Sequence, residues 1–204
     1  MDWKSCHKVQ SWSIWQVLIW DIPNITNLKS LNLAGCKVNE LINLEELDLS
    51  SNQISNISVN SNLCNLIKLN LEINYFNETT CHQLFQSNSF NLTDLNLSYL
   101  PIGDEIMNSN PQYSKLTHLQ MRYMRDSKIT KKSIPIIVDT LTMLRELCLD
   151  GISMGIEECR YITQSPCFRN MTRLSLADCK IDSRGGLHID QNWNWRCRMS
   201  FHCN

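Results

Sequence analysis

The chain has 204 residues, of which 43% are hydrophobic and 19% are charged, and its formal net charge at pH 7 is -1. This composition fits one globular unit with its own core and differs from that of a disordered chain. The near-zero charge excludes general attraction to nucleic acid or an anionic membrane surface, and no apolar run reaches the roughly 18 residues that a membrane helix needs.

The N-terminal segment, residues 1–27, contains four of the six tryptophans and none of the repeats described below. Its most apolar stretch, 12–22, follows Lys4 and Lys8 as in a signal peptide, but no small-residue cleavage site comes after it. The end coils of a repeat protein need a cover. We therefore predict that residues 1–27 form a cap-like segment and that this chain inserts no helix of its own into a membrane.

A leucine pattern, L-x-x-L-x-L-x-x-(N/C)-x-(apolar), then recurs seven times. The copies begin at Leu28, Leu44, Leu66, Leu92, Leu116, Leu144 and Met171. Their starts are 16, 22, 26, 24, 28 and 27 residues apart, and all but the first interval lie within the roughly 20–29 residues of leucine-rich repeats. The predicted fold is α/β: a leucine-rich-repeat solenoid over 28–182, with a curved parallel sheet on the concave face and loops and short helices on the convex face.

Three stretches depart from the regular repeat. The first interval leaves little chain for a convex arc, so the first coil is either distorted or not a true repeat. The fifth interval contains a predicted helix over 133–141, with Ser133 as the N-cap and Pro135 in the first turn. Residues 183–204 lack the leucine pattern, and we predict an irregular C-terminal tail there.

The ninth position of the pattern has a structural role. An asparagine there can pair its amide with backbone groups where the chain leaves the strand. Cys36 and Cys179 take this position in two copies, where a small buried thiol with a weak S–H donor is suitable. Because burial makes a thiol inert, we interpret both cysteines as structural.

Alternation along each strand leaves one residue between two inward leucines on the exposed face. These middle positions form a stripe: Asn32, Asp48, Asn70, Asn96, Gln120, Cys148 and Ser175. The flanking positions are Glu46, Lys68, Asp94, His118, Glu146 and Arg173 on one side, and Glu72, Arg122 and Asp150 on the other.

Repeat proteins bind partners on such concave faces, and a few polar or aromatic residues dominate most interfaces. We therefore predict a protein or peptide ligand and no nucleic acid. The predicted contacts are Asp48, Lys68, Asn70, Glu72, Gln120, Arg122, Tyr123, Glu146, Asp150 and Arg173. The alternative is that these residues are simply solvated strand positions.

Motifs for catalysis or cofactor binding are missing from the sequence. It contains no G-x-S-x-G, P-loop, dinucleotide fingerprint or H-E-x-x-H. The C-terminal part of the sequence contains four candidate zinc ligands, His188, Cys197, His202 and Cys203. Their spacing differs from that of the usual zinc sites. We predict that the chain is not an enzyme and binds neither a cofactor nor a metal.

Several repeats resemble those of a known family: LEELDLSSN at 44–52, NLTDLNLS at 91–98 and LRELCLDGISM at 144–154. Residues 28–181 resemble the extracellular repeats of plant receptor-like proteins. The resemblance implies a cell-surface receptor that recognises a ligand in defence or developmental signalling, with a co-receptor as a candidate second partner. The chain lacks the family's Cys-Cys-x-Trp cap and the proline of its G-x-I-P motif, so we expect a truncated fragment.

An intracellular protein is the rival hypothesis. Residues 129–134 and the cysteines at the asparagine position are similar to the cysteine-containing repeats of F-box and related ubiquitin-ligase adaptors. No F-box-like helix pair is visible in residues 1–27. A third hypothesis is a truncated gene product with no stable function.

The compartment separates these hypotheses: extracellular or at the plasma membrane for a receptor, cytoplasmic for an adaptor. Six N-x-S/T sequons occur, against about three expected by chance from the composition. Asn96 lies on the predicted concave face, where a glycan would block a partner, so either Asn96 is unmodified or the ligand avoids that coil. We predict glycans at Asn24, Asn56, Asn77, Asn91 and Asn170.

Two cysteines also report on the compartment. Cys159 and Cys167 share one predicted convex segment. They would form a disulfide in a secreted protein and remain thiols in the cytosol.

Overall fold

A computed structural model of the chain describes residues 11–13, 30–32, 45–52, 54–58, 65–87, 91–101, 103–104, 111–122, 129–192 and 198–201. The strands in these ranges are β1 (Ser11–Ser13), β2 (Ser30–Asn32), β3 (Glu46–Asp48), β4 (Asn56–Ser58), β5 (Lys68–Asn70), β6 (Asp94–Asn96), β7 (His118–Gln120), β8 (Glu146–Cys148), β9 (Arg173–Leu176) and β10 (Arg198–Phe201). The α-helices are α1 (Glu78–Ser87), α2 (Ser133–Thr140), α3 (Ile156–Gln164) and α4 (Ser183–Asn192). Within the described ranges, two 3-10 helices lie at Pro111–Lys115 and Phe168–Asn170.

The repeats form one parallel sheet of seven strands, ordered β3-β5-β6-β7-β8-β9-β10. Leucines of successive repeats lie in register, for example Leu47 beside Leu69 and Leu69 beside Leu95. Each of these leucines is buried, and the residues on either side of Leu47 are exposed. The predicted α/β leucine-rich-repeat solenoid is confirmed, because the L-x-L alternation produces this one-sided burial.

The first repeat does not join this sheet. Strand β2 pairs instead with β1 and β4 in a separate parallel sheet of three strands. Asn32 therefore does not continue the stripe of middle positions through Asp48, and its predicted place there is wrong. The 16-residue first interval explains the difference, because it is shorter than the roughly 20 residues that one coil needs.

The helices lie in the connections between strands and bury one side in the core. Ile137 and Val138 of α2 and Ile162 of α3 belong to the same buried cluster as the strand leucines. Leucine side chains and convex helices therefore enclose a core, and nothing in the described part of the chain covers the other side of the sheet at β3, β5, β6 and β7.

The helix predicted over 133–141 is confirmed as α2, but Ser133 is not its N-cap. Lys132 takes the cap position without a side-chain hydrogen bond, and Ser133 is the first helical residue. The Ser133 hydroxyl is buried and donates to the Asp104 carboxylate of the preceding connection. Asp104 also accepts from the Thr130 N–H and hydroxyl, both at 2.7 Å, so a residue remote in sequence holds this helix start.

The tail predicted to be irregular over 183–204 is regular in its described part. Helix α4 packs beside α3, and β10 pairs in parallel with β9, with Met199 opposite Leu174. Gly185 allows close contact between the two helices, because a Cβ there would lie 3.2 Å from the Cys159 Sγ. The solenoid therefore continues through β10, where the register partner of Leu174 is a methionine, Met199, and not a leucine.

Asparagines at the ninth position pair with the backbone, as predicted. The Asn74 amide donates to the carbonyls of Leu49 at 2.8 Å and Leu71 at 3.0 Å, and its Oδ1 accepts from the Ile54 N–H at 3.0 Å. At the same position the Cys179 thiol lies 3.1 Å from the Leu149 carbonyl oxygen, and burial raises its pKa to about 12. The structural interpretation of Cys179 is therefore confirmed, while Cys36 lies outside the described residues.

Candidate ligand-binding surface

The uncovered face of the sheet contains a groove of about 220 Å³ across β3, β5, β6 and β7. We call this feature the concave groove. Its lining residues are Glu46, Leu47, Asp48, Lys68, Leu69, Asn70, Asp94, Leu95, Asn96, His118 and Gln120. The polar members are the strand residues that alternate with buried leucines, so the repeat pattern itself positions them.

The floor of the groove is formed by short polar side chains in one row. Asp48, Asn70 and Asn96 lie in register on three neighbouring strands. The Oδ1 atom of each accepts the backbone N–H two residues later, at 2.8, 3.2 and 3.1 Å. Because these bonds fix the orientation of the side chains, the amide nitrogens of Asn70 and Asn96 are left to donate elsewhere.

One flank of the groove is a row in which acidic side chains alternate with a lysine and a histidine. The Lys68 Nζ lies 2.6 Å from the Glu46 Oε1, and this hydrogen bond raises the pKa of Lys68. The His118 Nδ1 lies 3.1 Å from the Asp94 Oδ1, and its Nε2 lies 3.8 Å from the Glu146 Oε1. Cross-strand neighbours of opposite charge stabilise a sheet only modestly, so these groups remain available to a partner.

The other flank differs between its two ends. Glu72 accepts from the Asn96 Nδ2 at 2.9 Å and therefore leans over the floor of the groove. Arg122 places its Nε 3.0 Å from the Cys148 Sγ and 3.7 Å from the Asp150 Oδ2. The Arg122 side chain thus covers the sheet at β8, next to the groove.

Asp150 is not exposed, although it was predicted to contact a ligand. It is 6% exposed, and its Oδ1 accepts from the Ser175 hydroxyl at 2.6 Å and the Ala177 N–H at 2.9 Å. The middle positions Cys148 and Ser175 are also buried. They are small side chains covered by longer neighbours, so the exposed stripe predicted from alternation stops before β8.

The remaining predicted contacts lie on the uncovered face. Lys68, Gln120 and Arg173 are exposed, and Glu146 lies 3.7 Å from Arg173. Tyr123 lies outside the described residues. The groove also contains four polar residues that the sequence analysis placed at middle or flanking strand positions but did not include among the predicted contacts: Glu46, Asp94, Asn96 and His118.

The sequons fall in different environments. Asn77, Asn91 and Asn170 are exposed, and the Asn77 Oδ1 accepts from the Thr80 N–H at the start of α1. Asn96 lines the groove as predicted. The side chain of Asn56 and the whole of Asn24 lie outside the described part of the structure.

Cys159 and Cys167 are not joined by a disulfide in the structure. Both are completely buried, but they have different neighbours: Cys159 faces Gly185 of α4, and Cys167 contacts Ser165 and the Val138 carbonyl of α2. Burial raises the pKa of the Cys167 thiol, which makes it unreactive.

The described residues also bear on metal binding and membrane insertion. Across the described part of the chain, no three His, Cys, Asp or Glu side chains are grouped so that they could hold a metal ion. None of the helices in that part combines the length and apolarity needed to cross a membrane.

Comparison with known proteins agrees with this architecture. A family model described as Leucine Rich repeat matches residues 40–59 and 169–189. No curated protein matches the sequence. Among solved structures, the chain is similar to an internalin from Listeria monocytogenes, with a TM-score of 0.56 and 21% identity over 89% of this chain.

That internalin is the longer protein, and the present chain spans 49% of its length. At 21% identity the likeness concerns the fold alone. Two matched repeat segments, a similar solved structure and strands paired leucine to leucine together show that this chain folds as a leucine-rich-repeat solenoid.

Proposed function

We propose that this chain is the recognition module of a cell-surface receptor-like protein and binds a protein or peptide in the concave groove. The observation behind the proposal is the uneven covering of the sheet. One face is closed by helices that share its core, while the polar side chains of β3, β5, β6 and β7 line an open groove. Solenoids bind partners on such faces.

The size of the groove favours a macromolecular partner over a small molecule. Its volume of about 220 Å³ is below the roughly 300–1,000 Å³ of typical small-molecule pockets. Its lining is polar and distributed over four strands, as expected where a partner makes several separate contacts.

Exposed sequons support an extracellular or plasma-membrane location. A glycan is attached through the side-chain nitrogen, and at Asn77 the helix start uses only the oxygen, so modification there is compatible with the fold. Exposure of Asn91 and Asn170 agrees with the same location. Signalling in defence or development, with a co-receptor as second partner, completes this proposal.

The buried thiols favour a second candidate, an intracellular adaptor of the F-box or ubiquitin-ligase type. Cys159 and Cys167 are buried apart from one another without a disulfide between them, and Cys179 replaces asparagine at the ninth position with a thiol hydrogen bond. Buried thiols of this kind are typical of a reducing compartment.

Intact mass spectrometry separates the two candidates. The chain is expressed in a eukaryotic host behind a supplied signal peptide and weighed before and after glycosidase treatment. A receptor module is expected to carry glycans at Asn77, Asn91 and Asn170. A secreted and folded product without glycans at these three sites would favour the adaptor.

A photo-crosslinking amino acid tests the binding face itself. It replaces Gln120 in the groove or, as a matched control, the exposed Asp190 of α4. A partner bound in the concave groove is expected to crosslink at position 120 and not at position 190. The reverse pattern would contradict binding on this face.

A further inference from the structure

Negative charge is concentrated at one end of the concave face. Among the described residues, Glu46, Asp48, Glu72 and Asp94 are opposed there by one lysine, Lys68, which gives this group a formal charge of -3 with His118 neutral, while the whole chain has -1. The other end has no such excess, because Arg122 and Arg173 face Glu146 and Asp150 there and Arg198 of β10 is the register partner of Arg173. The excess charge thus lies over β3, β5 and β6.

Two of these carboxylates have no cationic neighbour in ion-pair contact. Lys68 contacts Glu46 and His118 contacts Asp94. Within the described ranges, no lysine, arginine or histidine nitrogen lies within 4.0 Å of Asp48 or Glu72. A positively charged group brought between them would therefore gain attraction without displacing an existing ion pair.

The geometry places both carboxylates around Asn70. Asp48 is the register partner of Asn70 on the neighbouring strand. Glu72 is two residues further along the same chain and reaches across to Asn96 on the next strand. With its Oδ1 bonded to the Glu72 N–H, the Asn70 amide nitrogen is directed away from its own backbone. The side chain between the two carboxylates is thus a hydrogen-bond donor.

A bare metal ion does not fit this arrangement, because the described residues provide no group of three ligands for one. An organic cation on a long side chain fits better: a volume of about 220 Å³ suits one such side chain with part of its main chain. Amide donors at Asn70 and Gln120 match the carbonyl oxygens of an extended backbone.

The geometry points to a basic polypeptide segment as the occupant of the concave groove. A lysine or arginine of the partner lies between Asp48 and Glu72, and its backbone carbonyls accept from Asn70 and Gln120. This inference rests on the proposed function, because it names the chemistry of the partner that binds on that face.

Selection from a displayed library of random 12-residue peptides tests it. The full chain is the target, and the crosslinking amino acid at position 120 reports the face that is used. Bound peptides are expected to be enriched in lysine and arginine. For an enriched peptide, Asp48→Asn and Glu72→Gln should each weaken binding about two- to fivefold, and the effect should shrink at high salt. Asp190→Asn, a matched change on the exposed side of α4, should leave binding unchanged.

The outcomes distinguish this inference from the proposed function. Peptides that crosslink at position 120 without an excess of basic residues would overturn the inference and leave binding on the concave face intact. An equal loss from Asp190→Asn and Asp48→Asn would also overturn it. If no peptide crosslinks at position 120, both proposals fail. Circular dichroism of each variant verifies that a loss of binding is not a loss of fold.

Discussion

Replacing Asn74 by alanine should destabilise the solenoid more than any exposed asparagine-to-alanine change. Asn74 is 4% exposed and makes three good backbone hydrogen bonds, to Leu49, Leu71 and Ile54. At about 1 kcal/mol for each bond, Asn74→Ala should lower the free energy of unfolding by about 3 kcal/mol. Two neighbouring coils lose contacts together, because Leu49 belongs to the preceding repeat.

Cys179→Ala provides a comparison at the equivalent position. A thiol has one proton to donate and is a weak donor, and its best contact is the Leu149 carbonyl at 3.1 Å. The loss should be about 1.5 kcal/mol, from one weak bond and one small buried group. Asn70→Ala, in the groove, gives up only a 3.2 Å bond to the Glu72 N–H and should cost at most about 0.5 kcal/mol.

Urea denaturation followed by circular dichroism measures these differences, and hydrogen exchange locates them. In Asn74→Ala the Ile54 amide should lose its protection, since Asn74 Oδ1 is its acceptor. The reasoning would be refuted if Asn74→Ala cost no more than Asn70→Ala, or if the Ile54 amide stayed as protected as in the wild type.

Three further changes test other parts of the structure. Burial alone would raise the pKa of Asp104, but hydrogen bonds from Ser133 and Thr130 outweigh it and hold that pKa below its usual range. This stabilisation is present above the unfolded pKa of about 3.9 and is lost as pH falls through the folded value. The stability advantage of wild type over Asp104→Asn in thermal melts should therefore shrink below about pH 4. A constant advantage would contradict this expectation. Ile73 has a φ of 53°, a left-handed conformation that costs a β-branched residue roughly 1–2 kcal/mol. Ile73→Asn should therefore raise the urea midpoint of unfolding. A lower midpoint would show that the isoleucine side chain stabilises the fold by more than the backbone strain costs. Arg122→Ala should uncover Cys148 and speed its alkylation as measured by mass spectrometry, whereas Arg173→Ala should not.

How far the sequence predicts this fold depends on how directly each element follows from the repeat. The L-x-L alternation places Leu47, Leu69 and Leu95 in the core, and the structure agrees, because alternation is a local property of a strand. The sheet that β2 or β10 joins depends instead on the strands with which each one pairs. Because the first interval is short, β2 pairs in another sheet. In β10 the residue opposite Leu174 is Met199, so the leucine pattern does not reveal this strand.

The candidate surface was less predictable, because strand position does not reveal what covers a side chain. Asp48 and Asp150 both belong to the predicted contact residues, yet Asp48 is exposed and Asp150 is buried. The difference comes from Ser175 and Arg122, which reach Asp150 from neighbouring strands. Contacts of this kind span more than 20 residues of sequence and leave no trace in the local pattern.

The size of the middle residue explains where the concave groove ends. In β8 and β9 this residue is Cys148 or Ser175, and each is small enough to be covered by a charged side chain from a neighbouring position, so those charges neutralise one another over the sheet. In β3, β5 and β6 the middle residue is Asp48, Asn70 or Asn96, and each is tied to its own backbone. Glu72 leans over this floor through the hydrogen bond that it accepts from Asn96. No described cation lies within ion-pair distance of Glu72, although Arg122 attracts it from further away. The exposure and the excess negative charge at the β3 end therefore both follow from these polar middle residues. We expect a basic partner to bind at that end.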